Sequence, residues 1–166
     1  MMKILLSFLL TFSFSAVATM QITSMQLTQQ IKNRGAQAVI ADLYKDDESQ
    51  WQYVLTKIGS GEQNWLDVAA LLAPGSDADS AESLATAAAT AIPHNPAGVL
   101  SLLKGEVLPF STDNVCALPF YSIKEPEFNQ YIVNAIQALY KVSNSKACID
   151  TIVKTIGQSN GFVEDN

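Results

Sequence analysis

The stretch WQYVLTKIGSGEQNWLDVAALL, residues 51–72, decides the fold. Trp51, Val54, Leu55 and Ile58 fall at i, i+3, i+4 and i+7, and Trp65, Val68, Ala69 and Leu72 repeat that spacing. Each set lays one apolar stripe along a helix, to be buried against a neighbour. Gly59-Ser60-Gly61 separates the two, and Ser60-Gly61-Glu62-Gln63 has capping-box form ahead of the second. Two amphipathic helices joined by so short a turn predict an all-α chain.

Outward from this pair, the same period recurs. Leu84, Ala87, Ala88 and Ala91 carry it on small side chains, and Phe128, Ile132, Ala135 and Leu139 carry it near the C-terminus. The first Trp helix is expected to begin near Asp47, after Asp46, and the second to stop at Ala73-Pro74-Gly75. Ser76-Asp77-Ala78-Asp79 offers another capping box, opening an Ala-rich helix that should end near Ala91 because Pro93 disfavours helical geometry at Ile92. Asn95-Pro96 is an N-cap with proline at N1, for a short helix to Gly105. Glu125-Pro126 opens one to about Val142, and a last helix follows Ser143-Asn144-Ser145 and ends before Gly157. Upstream, Leu27, Ile31, Ala38 and Val39 predict a helix from about Thr23 to Lys45, with a kink or a close helix contact at Gly35, where glycine costs about 1 kcal/mol relative to alanine.

Glu106 to Lys124 is different: it holds Pro109, Pro119, Phe110, Phe120, Tyr121 and Cys116 without a helical period, although Val115 to Phe120 could be extended. A long irregular loop in a small domain calls for a pin. The expected architecture is an irregular bundle of about six to seven helices with this one long loop. A short α-solenoid is the alternative, disfavoured because the two Trp stripes lie too close for a solenoid repeat.

The N-terminus reads as a secretory signal. Met1-Met2-Lys3 is a short positive region, Ile4 to Phe14 is almost wholly apolar, and Ala16-Val17-Ala18 supplies the small residues of a cleavage site. The apolar run falls short of the roughly 20 residues that span a bilayer. The expectation is cleavage after Ala18, leaving a single α-helical domain over 19–157 and a flexible polar tail over 158–166. No stable membrane insertion is expected after cleavage. The address is the periplasm for a bacterial chain and the medium otherwise. Export also decides how the two cysteines read: in an oxidising compartment Cys116 and Cys148 form a disulfide pinning the loop to the last helix. Their spacing is too wide for a redox pair.

The chemistry-bearing residues are sparse. The formal net charge is −6, with Arg34 the one arginine, which gives no electrostatic footprint for nucleic acid or anionic lipid. The single histidine, His94, sits in a turn between helices, so neither a histidine-based triad nor an ordinary zinc site is expected. Asp77, Asp79 and Glu82 form the densest acidic cluster but lack the calcium-loop pattern, and acids at a helix start answer to the macrodipole. Ser101 to Lys104 and Ser143 to Lys146 both match S-x-x-K without its companion motifs. Gly59-Ser60-Gly61 is no nucleophile elbow.

No cofactor is called for, and no catalytic set emerges. The leading expectation is therefore an exported, non-enzymatic protein-binding domain. Its concrete form is an inhibitor or immunity protein against a secreted toxin or cell-wall hydrolase, with another exported protein as partner. The candidate contacts are Asp77, Asp79 and Glu82 in the acidic turn and Phe110, Phe120 and Tyr121 in the aromatic loop. Trp51 and Trp65 are assigned to the core. The alternatives are a small cell-wall hydrolase using carboxylates such as Glu62 and Asp67 beside Trp65, and a carrier of a small apolar ligand. The Ala-rich helix argues against the carrier, because small side chains let helices close up.

Overall fold

The computed structural model describes residues 21–45, 47–103 and 108–158. The expected signal peptide lies outside these residues, as do Asp46, Gly105 and the tail beyond Gln158. The described residues hold nine α-helices and no strand: α1 (Ser24–Arg34), α2 (Ala36–Leu43), α3 (Ser49–Gly59), α4 (Gln63–Leu72), α5 (Ala78–Ala91), α6 (Pro96–Leu102), α7 (Thr112–Cys116), α8 (Glu125–Leu139) and α9 (Lys146–Gln158). A 3-10 turn, Ala73–Gly75, follows α4.

The all-α class and the Cys116–Cys148 disulfide are as expected. Helices α3, α5, α7 and α9 pack each on the next, α2, α4, α6 and α8 do the same, and α1 lies across α2 and α4. Neighbours in sequence pack as well, as α3 does on α4, α5 on α6 and α8 on α9. One continuous core fills the space between, built on Leu27, Trp51, Ile58, Leu66, Leu84, Ile92, Leu139 and Ile152. Both tryptophans belong to it. Trp51 stacks on Tyr44 with ring centroids 5.1 Å apart, and Trp65 meets Tyr53 edge-on at 6.0 Å.

Several boundaries differ from the sequence reading, each for a local reason. The expected kink at Gly35 is a complete break, because Gly35 takes φ 83° and ψ 154° and ends α1. Thr23 and Gln26 form a capping box for α1. Helix α3 starts at Ser49, since Asp47 and Glu48 both adopt positive φ. Ser60 does not cap α4: its hydroxyl donates to the Lys57 carbonyl at 2.7 Å, and the N-cap is Glu62, without a side-chain bond. Ser76 likewise donates to the Ala73 carbonyl, so the box on α5 shifts by one residue to Asp77 and Ser80. Asn95 caps α6 with Pro96 at N1 as expected, its side chain accepting from Gly98 N at 2.9 Å. Helix α6 closes at Leu102 and α8 at Leu139, three residues short of Val142.

The segment expected to be irregular contains α7, capped by Ser111, whose hydroxyl accepts from Asn114 N at 3.1 Å. Five residues are too few to display a helical period. Val115 and Cys116 are therefore helical and buried rather than extended. The disulfide joins α7 to α9 with 5.3 Å between Cα atoms, and Leu108-Pro109 is a cis peptide.

Candidate functional site

A groove of about 740 Å³ runs between α3 and α5. Its α3 wall is Gln52, Thr56 and Ser60, at i, i+4 and i+8; its α5 wall is Asp79, Glu82, Ser83, Thr86 and Thr90. These polar residues flank the apolar stripe of each helix, and Leu55 and Ala87 from the stripes line the groove with Gly59. Small residues bring the two helices close here: a Cβ on Gly59 would stand 3.2 Å from Thr90 Cγ2. Tyr121, 84 % exposed, closes one side from the loop after α7.

The groove hydroxyls point their protons inward. Thr56 Oγ1 donates to the Gln52 carbonyl at 2.8 Å, Ser60 Oγ to the Lys57 carbonyl, Thr90 Oγ1 to the Thr86 carbonyl at 2.9 Å, and Thr86 Oγ1 to the Pro119 carbonyl at 2.9 Å. A hydroxyl has one proton and two lone pairs, so each presents an acceptor to what lies outside.

Asp79 is held from outside the groove, and Glu82 lies beside Tyr121 on its rim. Tyr44, at the end of α2, donates its hydroxyl to Asp79 Oδ2 at 2.6 Å. Burial, and then the Asp79 carboxylate, push the Tyr44 pKa above its ordinary value. The nearby Glu82 carboxylate raises the Tyr121 pKa. An acid and an exposed aromatic ring thus lie side by side on the rim.

Of the six candidate contact residues, the structure gathers Asp79, Glu82 and Tyr121 at one groove. Asp77 serves α5 instead: its carboxylate accepts from Ser80 N and Ser80 Oγ, which lowers its pKa, and it does not line the groove. Phe110 is a correction to the expectation of exposed loop aromatics, because it is buried in the core at 5 % exposure. Phe120 is half-buried, edge-on to Tyr131 at 4.6 Å and to Phe128 at 6.3 Å. With Leu118, Val115 and the disulfide, these rings anchor the segment to the core.

The other residues weighed from sequence fall elsewhere. Glu62 and Asp67 are exposed and do not share a cavity; Asp67 lies in a depression of about 270 Å³ with Leu108 and Phe110. His94 is exposed in the turn after α5, in a depression it shares with Pro126 and Tyr131. Ser101, Ser143 and Cys148 line a depression of about 650 Å³ beside the disulfide, together with Lys141. Among the described residues no group of three or more His, Cys, Asp or Glu side chains is arranged to hold a metal ion. No described helix is long and apolar enough to cross a membrane.

The polar wall of the groove was missed in the sequence, although a signal existed. Ser83, Thr86 and Thr90 are helically spaced within an otherwise Ala-rich run, and Gln52, Thr56 and Ser60 match them on α3. No protein-family model, curated protein or solved structure matches the chain.

Proposed function

We propose that this is an exported, non-enzymatic domain that binds another exported protein through the α3–α5 groove, in the manner of an inhibitor or immunity protein that occludes a secreted toxin or cell-wall hydrolase. The observation that carries the reading is the convergence of Asp79, Glu82 and the exposed Tyr121 ring on one groove. An exposed aromatic ring beside charge is the composition from which interface anchors are drawn. The groove hydroxyls support binding over catalysis: the four described above spend their protons on backbone carbonyls, and His94 lies in a different depression. The disulfide suits an oxidising compartment.

Affinity capture from an extracytoplasmic extract tests this reading, with the native protein as bait beside Tyr121→Ala and Asp79→Asn/Glu82→Gln. The expected result is one stoichiometric partner, retained by the native chain, depleted by both variants, and inhibited when bound. Recovery of no such partner overturns it. The intact mass of the bait decides export, with Thr19 expected as the first residue; a full-length chain confined to the cytoplasm overturns that part.

A further inference from the structure

We propose that the α3–α5 groove receives an arginine side chain from a segment of the partner protein. This inference rests on the protein-binding reading above and adds the chemistry of what is bound.

Over an apolar floor of Leu55, Gly59 and Ala87, the charged groups of the groove are all acceptors. Asp79 and Glu82, three residues apart, lie on one face of α5, and among the lining residues no cation answers them. Thr56 and Thr90 leave their oxygen lone pairs for a ligand, because their protons go to backbone carbonyls of their own helices. An anion would meet repulsion from two carboxylates and find few free protons. A neutral acceptor would fare little better. A donor-rich cation satisfies both the charge and the lone pairs.

Guanidinium fits this surface better than ammonium. Its five donors form a planar fork that can reach acceptors on both walls at once, whereas an ammonium has three donors around a point. The Tyr121 ring, exposed at the rim that it shares with Glu82, offers the flat face on which a guanidinium stacks. Desolvation is also less severe for the more weakly hydrated group. The overall charge of −6 draws a basic partner in, so encounter and docking ask for the same sign.

The test is titration of the native, disulfide-bonded, isotope-labelled protein with N-acetyl-arginine amide at low salt, followed by amide chemical shifts. N-acetyl-lysine amide and the neutral citrulline analogue are the controls. Saturable shifts are expected at Gly59, Ser60, Ser83 and Thr86, weaker with the lysine probe and absent with the citrulline probe. Asp79→Asn/Glu82→Gln should weaken the arginine probe about tenfold, and Tyr121→Leu about threefold. These positions are at the surface, and the unperturbed remainder of the spectrum reports that each variant folds. Absence of saturable shifts, an equal response to citrulline, or an unchanged affinity in both variants overturns the proposal.

A competition arm separates the two readings. The arginine probe should displace the captured partner. A partner that binds the double variant as well as the native chain overturns the groove as its seat and leaves protein binding standing. Probe binding in a protein that captures no partner overturns the protein source instead and leaves the groove chemistry standing.

Discussion

The Tyr44 hydroxyl donates to Asp79 Oδ2 at 2.6 Å, and the same Tyr44 ring stacks on the buried Trp51. One side chain thus ties the end of α2 to the first turn of α5 and to the core beneath α3. Tyr44→Phe removes the hydrogen bond and keeps the stack, and Asp79 is exposed enough to be solvated instead. The expected loss is about 1 kcal/mol, read as a lower urea midpoint with an unchanged slope. An unchanged midpoint would mean that water replaces the phenol at no net cost.

Two phenols predict a stability limit at alkaline pH. The Tyr131 pKa is raised by burial, and its hydroxyl donates to the Ala89 carbonyl at 2.8 Å; that of Tyr44 is raised by burial and then by Asp79. Both folded values lie above the unfolded value of 10.0, so the folded chain holds its phenolic protons longer. That contribution is complete below the unfolded pKa and is lost as pH climbs from there through the folded values. Urea midpoints measured from neutral pH to about 11 should therefore fall at the alkaline end. Tyr131→Phe should start lower, having lost a bond, and decline less steeply. A decline parallel to that of the native chain would exclude Tyr131 as its source.

The disulfide should carry a large share of the stability. It closes a sequence separation of 32 residues between α7 and α9. The chain-entropy model assigns such a loop about 3–4 kcal/mol. Both cysteines are buried, so Cys116→Ala/Cys148→Ala opens the loop and also removes two core sulfurs, and the native chain under reductant is the control for that second effect. The expected outcome is a urea midpoint well below that of the oxidised native chain and close to that of the native chain under reductant. If the double variant and the oxidised chain unfold together, α7 is held by Val115 and Phe110 packing instead.

The helices were legible in the sequence because their stripes are strong. Trp51, Val54 and Ile58 are all buried where the period puts them, and Leu84, Ala88 and Ala91 likewise. What escaped is local competition. Ser60 and Ser76 have the pattern of caps, yet each hydroxyl finds a carbonyl three residues back, and no periodicity separates those two uses of one side chain. Phe110 and Tyr121 belong to the same aromatic loop, but one is in the core and the other in solvent. The difference is set by α7 and the disulfide between them. The groove escaped because it lies where the apolar stripes of α3 and α5, at Leu55 and Ala87, give way to their polar faces. Asp79, Glu82 and Tyr121 stand out by their chemistry, whereas the α3 hydroxyls across from them show only as a helical spacing of polar residues.

Three glycines separate backbone cost from contact cost. Gly35 holds φ 83° and ψ 154°, a conformation almost confined to glycine, and a Cβ added there would meet nothing within 4 Å. Gly35→Ala should cost about 1–3 kcal/mol through the backbone alone. Gly75 is the opposite case: a Cβ there would stand 2.3 Å from Gln37 N and 2.6 Å from Ala36 Cβ, pressing the 3-10 turn away from α2. Gly75→Ala should also destabilise, by about 1–3 kcal/mol as overpacking does. Gly157, helical in α9 and equally open, is the control, and Gly157→Ala should stabilise by up to about 1 kcal/mol. Urea midpoints of the three variants decide what sets the break between α1 and α2. If Gly35→Ala is tolerated while Gly75→Ala is not, the start of α2 is fixed by the 3-10 turn packed against it, and the conformation of Gly35 follows from that contact rather than causing it.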